Sequence, residues 1–313
     1  MSEQPGMIEP FDVLGLGCVA VDDLLYVDVY PPADAKARVQ GRDRQCGGLT
    51  ATALVAAARL GARCAYAGTL GDDEFSRFVI DRLQQEQIDV QYLRRRANAR
   101  PIRSVIVVAH SQQTRTIFYD LEGAEPLTPD WPPEALIRAA RVLFVDHFGA
   151  EGMLRATQIA SAAGIPVVAD FESTLPGPEF GELVTLVDHP LVSLDFARRW
   201  TGRDRPDEAA LALWSPRRDT VVVTCGADGC WYVSSAHPTE ARHQPAYPVQ
   251  VIDTTGCGDV FHGAYAAGLA QGLDLTSRLQ LAAATAALKA TRPGGQAGIP
   301  LRPAVEAFLC ERR

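Results

Sequence analysis

The middle of the chain alternates between strand-like and helix-like segments, and this pattern constrains the fold more than any other feature. Strand-like segments lie at 142–146 and 166–170, and helical segments lie at 151–163, near 176–186 and near 206–214. Such alternation favours a parallel sheet with helices on both faces. Ligands of these sheets bind at the carboxyl ends of the strands. The sequence therefore predicts an α/β fold with a doubly wound, mostly parallel sheet and a site at that edge.

A glycine-rich turn, residues 253–259 with the sequence DTTGCGD, leads directly into a predicted helix. The first N–H groups of a helix have no partner within it, and together with the helix dipole they attract anions. Gly256 and Gly258 allow the backbone to approach such an anion closely. Asp259 in the first turn could accept the proton of an attacking hydroxyl, as phosphoryl transfer requires. An acidic helix cap with structural glycines would have the same spacing, so both interpretations stay open at this point.

The same run resembles the signature of the ribokinase-like (PfkB) carbohydrate kinases, which usually have alanine at the position of Cys257. A second signature of that family begins at Gly47-Gly48 and extends through a helix to Gly61. The resemblance covers nearly the whole chain and implies one ribokinase-like domain over residues 1–313. The implied activity is the ATP-dependent phosphorylation of a primary hydroxyl of a small sugar.

The resemblance also implies a small β-sheet lid over the sugar, built from strand-rich segments at about 23–45 and 98–120. Within the second segment, residues 102–108 and 114–119 are predicted to be two strands. A lid fits the implied chemistry, because a kinase must keep water from the phosphoryl group. The family often uses this lid as a dimer contact, so a homodimer through the lid is expected.

Matching the family motifs position by position implies roles for individual residues. Asp259 is the expected general base, and Gly256, Cys257 and Gly258 are expected at the anion hole. The residues expected to bind the sugar are Asp22, Gly47, Gly48 and Thr52. The residues expected to bind the nucleotide are Ser193, Thr224, Gly226 and Gly229. The residues expected to surround a potassium ion are Asp253, Thr255, Lys289, Arg292, Gly294 and Gly298.

The expected cofactors are therefore ATP and Mg²⁺, with K⁺ as a further candidate because oxygen-only ligands suit such a hard cation. Asp22 is expected to end the first strand and to bind two sugar hydroxyls, with Asp23 as its close rival. Thr52 stands where the family usually has asparagine. Residues 191–195 lack the Asn-x-x-Glu motif that helps to position magnesium in many relatives.

The composition excludes several other classes of protein. The net charge of −8 argues against a nucleic-acid surface. No apolar run reaches the ~20 residues of a membrane span, and the first ten residues do not resemble a signal peptide. The seven cysteines are scattered without Cys-x-x-Cys pairs, which is typical of reduced thiols and predicts a cytoplasmic enzyme. Cys257 is either a reactive thiol at a helix start or a small residue in place of alanine.

Three alternative functions compete with the sugar-kinase interpretation. Gly15-x-Gly17-x-x-Ala20 matches a dinucleotide fingerprint, but the strand-like residues 24–30 follow where that fingerprint requires a helix. A nucleoside kinase would use the same machinery with aromatic residues against a base. A sugar sensor without catalysis would have no need of Asp259.

The identity of the sugar is the least determined part of the prediction. The runs 51–61, 259–264 and 291–295 look closest to the bacterial sulfofructose kinase branch of the family. That branch has an arginine where this chain has His147, just after Asp146 at a strand end. A neutral ketohexose such as fructose, or a sugar phosphate, is therefore equally compatible with the sequence. Arg103 and Arg115 in the lid are candidates to supply positive charge to an anionic sugar.

Overall fold

The computed structural model describes residues 8–112 and 114–312. The strands, in chain order, are β1 Phe11–Leu16, β2 Ala20–Val27, β3 Gly41–Gly47, β4 Cys64–Tyr66, β5 Thr69–Leu70, β6 Arg94–Arg95, β7 Ile102–Ala109, β8 Thr114–Asp120, β9 Ala140–Val145, β10 Val167–Phe171, β11 His189–Ser193, β12 Thr220–Thr224, β13 Cys230–Ser234 and β14 His237–Gln244. The helices are α1 Leu49–Arg59, α2 Glu74–Gln85, α3 Glu134–Arg138, α4 Ala150–Ala162, α5 Pro178–Leu186, α6 Leu194–Thr201, α7 Pro206–Leu213, α8 Cys257–Ala270, α9 Leu275–Ala290 and α10 Arg302–Cys310.

A main sheet of eight strands, in the order β14-β13-β12-β11-β10-β9-β1-β4, forms the centre of the molecule. Its strands from β12 across to β4 run parallel, whereas β13 and β14 form an antiparallel edge. Parallel neighbours require crossover connections, and helices supply them. The predicted fold class, a mostly parallel ribokinase-like α/β sheet, is confirmed.

Two apolar cores cover the two faces of the main sheet. Alternate residues of a strand point to opposite faces, and in β1 Val13 enters one core while Leu14 enters the other. The first core is filled mainly from α1, α8 and α9, and the second from α4 to α7. The predicted placement of helices on both faces is therefore confirmed.

A separate four-stranded sheet, the lid, has the order β3-β2-β7-β8. Strand β2 pairs antiparallel with β3 and parallel with β7. The predicted small sheet is confirmed, although its first segment begins at Ala20 instead of 23 and ends at Gly47 instead of 45. Two exposed aromatic side chains, Phe118 at 53% and Tyr119 at 70%, lie on β8 at the edge of the lid.

The prediction that Asp22 ends the first strand of the main sheet is wrong. Strand β1 stops at Leu16, and Asp22 is the third residue of β2 in the lid. The chain changes sheets at Gly17, where a side chain would lie 2.1 Å from the Asp146 carboxylate. The change of sheet accounts for the glycines that resemble a dinucleotide fingerprint. A strand follows them, whereas the fingerprint requires a helix.

Residues 64–70 contain two short strands that belong to different sheets. Strand β4 continues the main sheet at its edge, while β5 leaves it and pairs with β6 in a sheet of two strands. The other predicted elements agree with the structure to within one or two residues at most ends. Helix α9 begins with an N-cap, because the Asp274 carboxylate accepts the Ser277 N–H at 2.9 Å.

Candidate active site

The start of α8 lies at the carboxyl edge of the main sheet. Gly256 is the N-cap residue with φ of +73°, a left-handed conformation that glycine adopts without strain. Its carbonyl accepts the first helical hydrogen bond, from Val260 at 2.9 Å. Within the described residues, the N–H groups of Gly258 and Asp259 have no acceptor, and a side chain at 258 would meet open space. Two amides at the positive end of a helix dipole therefore face a cleft, as an anion hole requires.

Asp259 stands beside these amides and is surrounded by other carboxylates. Burial raises its pKa well above the ordinary value for aspartate, and the charges of Asp170, Glu172 and Asp22 raise it further. Arg115 of the lid acts in the opposite direction. In the part of the chain that the structure describes, no side chain donates a hydrogen bond to the Asp259 carboxylate. A carboxylate with a raised pKa and free oxygens is suited to accept a proton near neutral pH.

The carboxylates around Asp259 come from the end of β10 and from strand β2 of the lid. Asp170 lies in β10 and is buried, and its Oδ2 lies 2.6 Å from Nδ1 of His262, one turn into α8. Glu172 follows β10, and part of its surface stays in contact with solvent. Partial desolvation of its carboxyl and the charge of Asp170 raise the pKa of Glu172 to about 7. Sequence analysis missed both residues, although Glu172 follows a strand that was predicted correctly.

Asp22 reaches the same cleft from the lid. Ser104 on the neighbouring strand β7 donates a hydrogen bond to its carboxylate, and burial raises its pKa. A side chain at Gly47 would lie 1.9 Å from Oδ2 of Asp22, so the glycine makes room for this carboxylate. Its rival Asp23 points to the other face of the lid and pairs with Arg44 at 2.6 Å. The structure therefore brings Asp22, and not Asp23, close to Asp259.

Gly48 and Thr52 have contacts that account for them without a ligand. Gly48 has φ of +93°, and a side chain there would lie 2.7 Å from the Cys18 carbonyl oxygen. Thr52 is buried, its hydroxyl accepts a hydrogen bond from Gln296 at 3.3 Å, and its methyl group faces Gly256. Thr52 thus supports the turn at the anion hole, and its contact with a sugar stays a prediction.

The expected nucleotide residues Ser193 and Thr224 are neighbours at the ends of β11 and β12. Ser193 caps α6 by accepting the Phe196 N–H at 3.1 Å. It also lines a polar cavity of about 480 Å³. The other residues of that cavity are Glu172, Ser173, Thr174, Asp195 and Arg199. This cavity continues the cleft from Asp259 along the edge of the main sheet, through the shared residue Glu172.

The two glycines of the expected nucleotide loop differ. Gly226 has φ of +58° and open space where a side chain would lie, so its backbone is accessible to a ligand. Gly229 turns the predicted hairpin between β12 and β13, and a side chain there would lie 2.1 Å from the Gln244 carbonyl oxygen. Packing against β14 already accounts for Gly229, and its contact with a nucleotide stays a prediction.

The lid is tied to the loops around the start of α8. Arg115 on β8 donates a hydrogen bond to the Thr254 hydroxyl at 3.1 Å. Gln45 on β3 accepts the Gly295 N–H at 2.8 Å. These contacts hold the lid over the cleft and place the Arg115 charge near Asp259. The other candidate arginine, Arg103, instead stacks on the Phe75 ring at 4.3 Å.

Asp146, which follows β9, has contacts that account for it without a ligand. It is fully buried, and its carboxylate accepts hydrogen bonds from the Cys18 N–H, the Phe148 N–H and the Thr50 hydroxyl at 2.7, 2.7 and 3.0 Å. With these donors it closes the junction between the main sheet and the lid.

The residues expected to surround potassium form two linked loops. Asp253 accepts the N–H groups of Thr255 and Gly294, both at 2.8 Å. Burial raises the pKa of Asp253, but these hydrogen bonds and the Lys289 charge outweigh it, and the net pKa is lowered. The Lys289 side chain is fully buried, and its ammonium donates to the Asp253 carbonyl oxygen at 2.8 Å. A protein cation therefore occupies part of the expected ion site.

Within residues 8–112 and 114–312, no group of three or more His, Cys, Asp or Glu side chains is arranged to hold a metal ion. Within the same residues, the helices are all too short or too polar to cross a membrane.

Comparison with known proteins agrees with this geometry. The family described as pfkB family carbohydrate kinase matches residues 17–302. Fructokinase from Solanum tuberosum is 30% identical over 70% of this chain and 69% of its own length. Ribokinase from Haemophilus influenzae is 28% identical over 94% of this chain and 97% of its own length.

A solved structure supports the fold independently of sequence. The structure of Arabidopsis thaliana ribokinase complexed with ribose and ATP superimposes with a TM-score of 0.83. It covers 96% of this chain and 99% of its own chain at 21% identity. At that identity the likeness establishes the shared fold.

Proposed function

The chain belongs to the PfkB family of carbohydrate kinases, and from this membership we propose that it transfers the γ-phosphoryl group of ATP to a primary hydroxyl of a small sugar. The observation that carries the proposal is Asp259, with free carboxylate oxygens and a raised pKa, beside two unpartnered amides at the start of α8. The ribokinase that was solved with ribose and ATP supports the choice of both substrates.

The proposed reaction is a direct displacement at phosphorus. The sugar hydroxyl attacks the γ-phosphorus, an O–P bond forms, the bond to the β-phosphate oxygen breaks, and ADP leaves. Asp259 accepts the hydroxyl proton as the bond forms. The N–H groups of Gly258 and Asp259 stabilise the charge on the phosphoryl oxygens. The left-handed Gly256 directs these amides toward the cleft.

The sugar is proposed to lie between the lid and the start of α8. Asp22 has a carboxylate that can accept hydrogen bonds from two neighbouring hydroxyls, and Gly47 leaves room for it. On the same side of the cleft, Gly48 allows the close backbone packing and Thr52 supports the turn at Gly256. The arrangement directs one sugar hydroxyl toward Asp259.

The nucleotide is proposed to lie along the ends of β11 and β12, with Ser193, Thr224 and Gly226 toward its phosphates. The residues present there are compatible with Mg²⁺, since Glu172, Ser193 and Asp195 bring oxygen atoms to one cavity. Magnesium usually binds one or two carboxylates together with substrate phosphates, so a larger cluster is not required. Bound with ATP, it neutralises charge on the β- and γ-phosphates.

The lid is also proposed to form the contact of a homodimer. Large apolar side chains are exposed on both faces of the lid and just beyond β8: Val105 and Phe118 on one face, Ile117 and Tyr119 on the other, and Leu121 after the strand. Exposed apolar surface is typical of protein interaction sites. Light scattering should give the mass of a dimer, and Phe118→Asp should shift it toward the monomer. A cytoplasmic location stays a prediction.

An ADP-release assay over a panel of acceptors tests the proposed reaction. The panel contains fructose, ribose, hexose monophosphates, sulfofructose and nucleosides. We expect a sugar to give turnover, and ³¹P NMR of the product to show a phosphate on a primary carbon. Turnover with nucleosides alone would favour the nucleoside kinase, and binding of sugars without ADP release would favour the sensor.

A further inference from the structure

Lys289 is an unusual residue for its position. It is one of only two lysines in a chain with 30 lysine and arginine residues, and its side chain is completely buried in the last turn of α9. Burying an ammonium group costs free energy unless hydrogen bonds and opposite charges compensate. A role in the site would account for its presence.

Within residues 8–112 and 114–312, Asp253 supplies the one hydrogen-bond acceptor for this ammonium. The ammonium donates to the Asp253 carbonyl oxygen at 2.8 Å, and the Asp253 carboxylate contributes a favourable charge. That carboxylate in turn accepts one N–H from each loop, Thr255 before α8 and Gly294 after α9. The backbone N–H groups of Ile252 and Asp253 bond to the Ala290 carbonyl at 2.8 and 3.1 Å. Lys289 therefore holds the segment that leads into the anion hole.

A potassium ion is expected at this place from the family resemblance, and the residues present do not fit it. One expected ligand, the Asp253 carbonyl oxygen, already accepts the Lys289 ammonium. The two Asp253 carboxylate oxygens already accept backbone N–H groups. A second monovalent cation would also be repelled by the ammonium at this short range.

We propose that the Lys289 ammonium is a built-in monovalent cation that positions the anion-hole turn through Asp253, so that this kinase works without potassium. Lys289 is a positioning residue, because it contacts the Asp253 loop and not the reacting atoms. The activity test of this inference rests on the proposed kinase reaction. The test by thermal stability does not depend on that reaction.

The first test compares KCl with choline chloride at equal ionic strength, using the wild-type protein. Turnover and the melting temperature should be the same in both salts, because the site already holds a cation. Several-fold activation or a specific stabilisation by K⁺ would overturn the proposal. The melting comparison decides the matter even if no acceptor sugar is found.

The second test uses Lys289→Ala, which removes the ammonium and leaves space beside carbonyl and carboxylate oxygens. We expect turnover to fall by about tenfold or more in choline, the usual effect of losing a charge-assisted hydrogen bond. Added K⁺ should restore part of the turnover and raise the melting temperature of this variant. The matched control is Lys36→Met, which replaces the other lysine of the chain, an exposed residue. This variant should behave as wild type.

The variants distinguish a failure of the positioning role from a failure of the role as a substitute for potassium. A folded Lys289→Ala protein with wild-type turnover in choline would contradict the positioning role. A folded variant that loses turnover but responds to no monovalent cation would contradict the stand-in role. If Lys289→Ala does not fold, the test uses Lys289→Arg, which keeps the charge. The stability of this variant should not depend on potassium. A melting temperature that depends on potassium would contradict the proposal.

Discussion

The two sides of the cleft are built differently. The side proposed for the phosphoryl group, at the start of α8, consists of backbone amides and one carboxylate, held by the main sheet and by the buried Lys289. The side proposed for the sugar, in the lid, consists of side chains such as Asp22 and Arg115 on strands with one exposed face. We infer that the main sheet determines the type of reaction, whereas the lid determines which sugar is accepted. The predictions below test this division, from the largest expected effect to the smallest.

Replacing Asp259 should have the largest effect. Asp259→Asn removes the proton acceptor and keeps the shape, so kcat should fall by about 10²-fold or more. ATP binding, measured by calorimetry, should be retained, because the amides of the turn are unchanged. Asp204→Asn, an exposed aspartate away from the cleft, serves as the control. Near-normal kcat in Asp259→Asn would refute the role of general base.

Replacing Asp22 should affect the sugar and not the nucleotide. Asp22→Asn weakens two hydrogen bonds to hydroxyls, so KM for the sugar should rise by about tenfold or more, given the usual value of charged hydrogen bonds. KM for ATP should stay the same. Asp23→Asn is a closely matched control, since Asp23 is the next residue on the same strand and faces Arg44. Equal effects of the two variants would contradict the assignment of Asp22 to the sugar.

Replacing Arg115 should change the pH dependence. The Arg115 charge lowers the pKa of Asp259, so its removal in Arg115→Gln raises that pKa further. As the solution is acidified, the Asp259 carboxylate is then protonated at a higher pH and can no longer accept a proton. The acid limb of the kcat/KM profile should therefore move to higher pH. Arg103→Gln, whose guanidinium stacks on Phe75, should leave the limb in place.

The same variant also tests whether the substrate is anionic. If Arg115 contacts a sulfonate or phosphate on the sugar, Arg115→Gln should raise KM for the anionic sugar much more than for its neutral counterpart. Equal changes in KM for the two sugars would limit Arg115 to its bond with Thr254 and its charge effect on Asp259.

Replacing Cys257 should have the smallest effect. Burial raises the pKa of its thiol, so the prediction of a reactive thiol at the helix start is not supported, and the residue is expected to act as a small replacement for alanine. Cys257→Ala should leave turnover within about twofold of wild type, the range of neutral small-residue exchanges. Mass spectrometry after iodoacetamide treatment should find the exposed Cys310 modified before Cys257. Rapid loss of activity through modification of Cys257 would contradict this view.

Local patterns in the sequence determined the order of elements and the chemistry at one turn. Helical periodicity, β-branched runs, the Asp274 cap and the turn at Gly256 each depend on residues a few positions apart. Hydrogen bonds and side-chain direction within such short segments follow from local geometry. For this reason the fold class and the position of Asp259 at a helix start could be predicted.

Tertiary structure alone decided which side chains meet in the cleft. Arg115 and Thr254 are 139 positions apart, Gln45 and Gly295 are 250 apart, and Lys289 and Asp253 come from different elements. No local pattern distinguishes Asp22 from Asp23, because adjacent residues of a strand face opposite sides and only the placement of the lid selects one. The burial that raises the pKa of Asp259, and the ammonium beside Asp253, result from packing of distant segments, which the sequence encodes only through the complete fold.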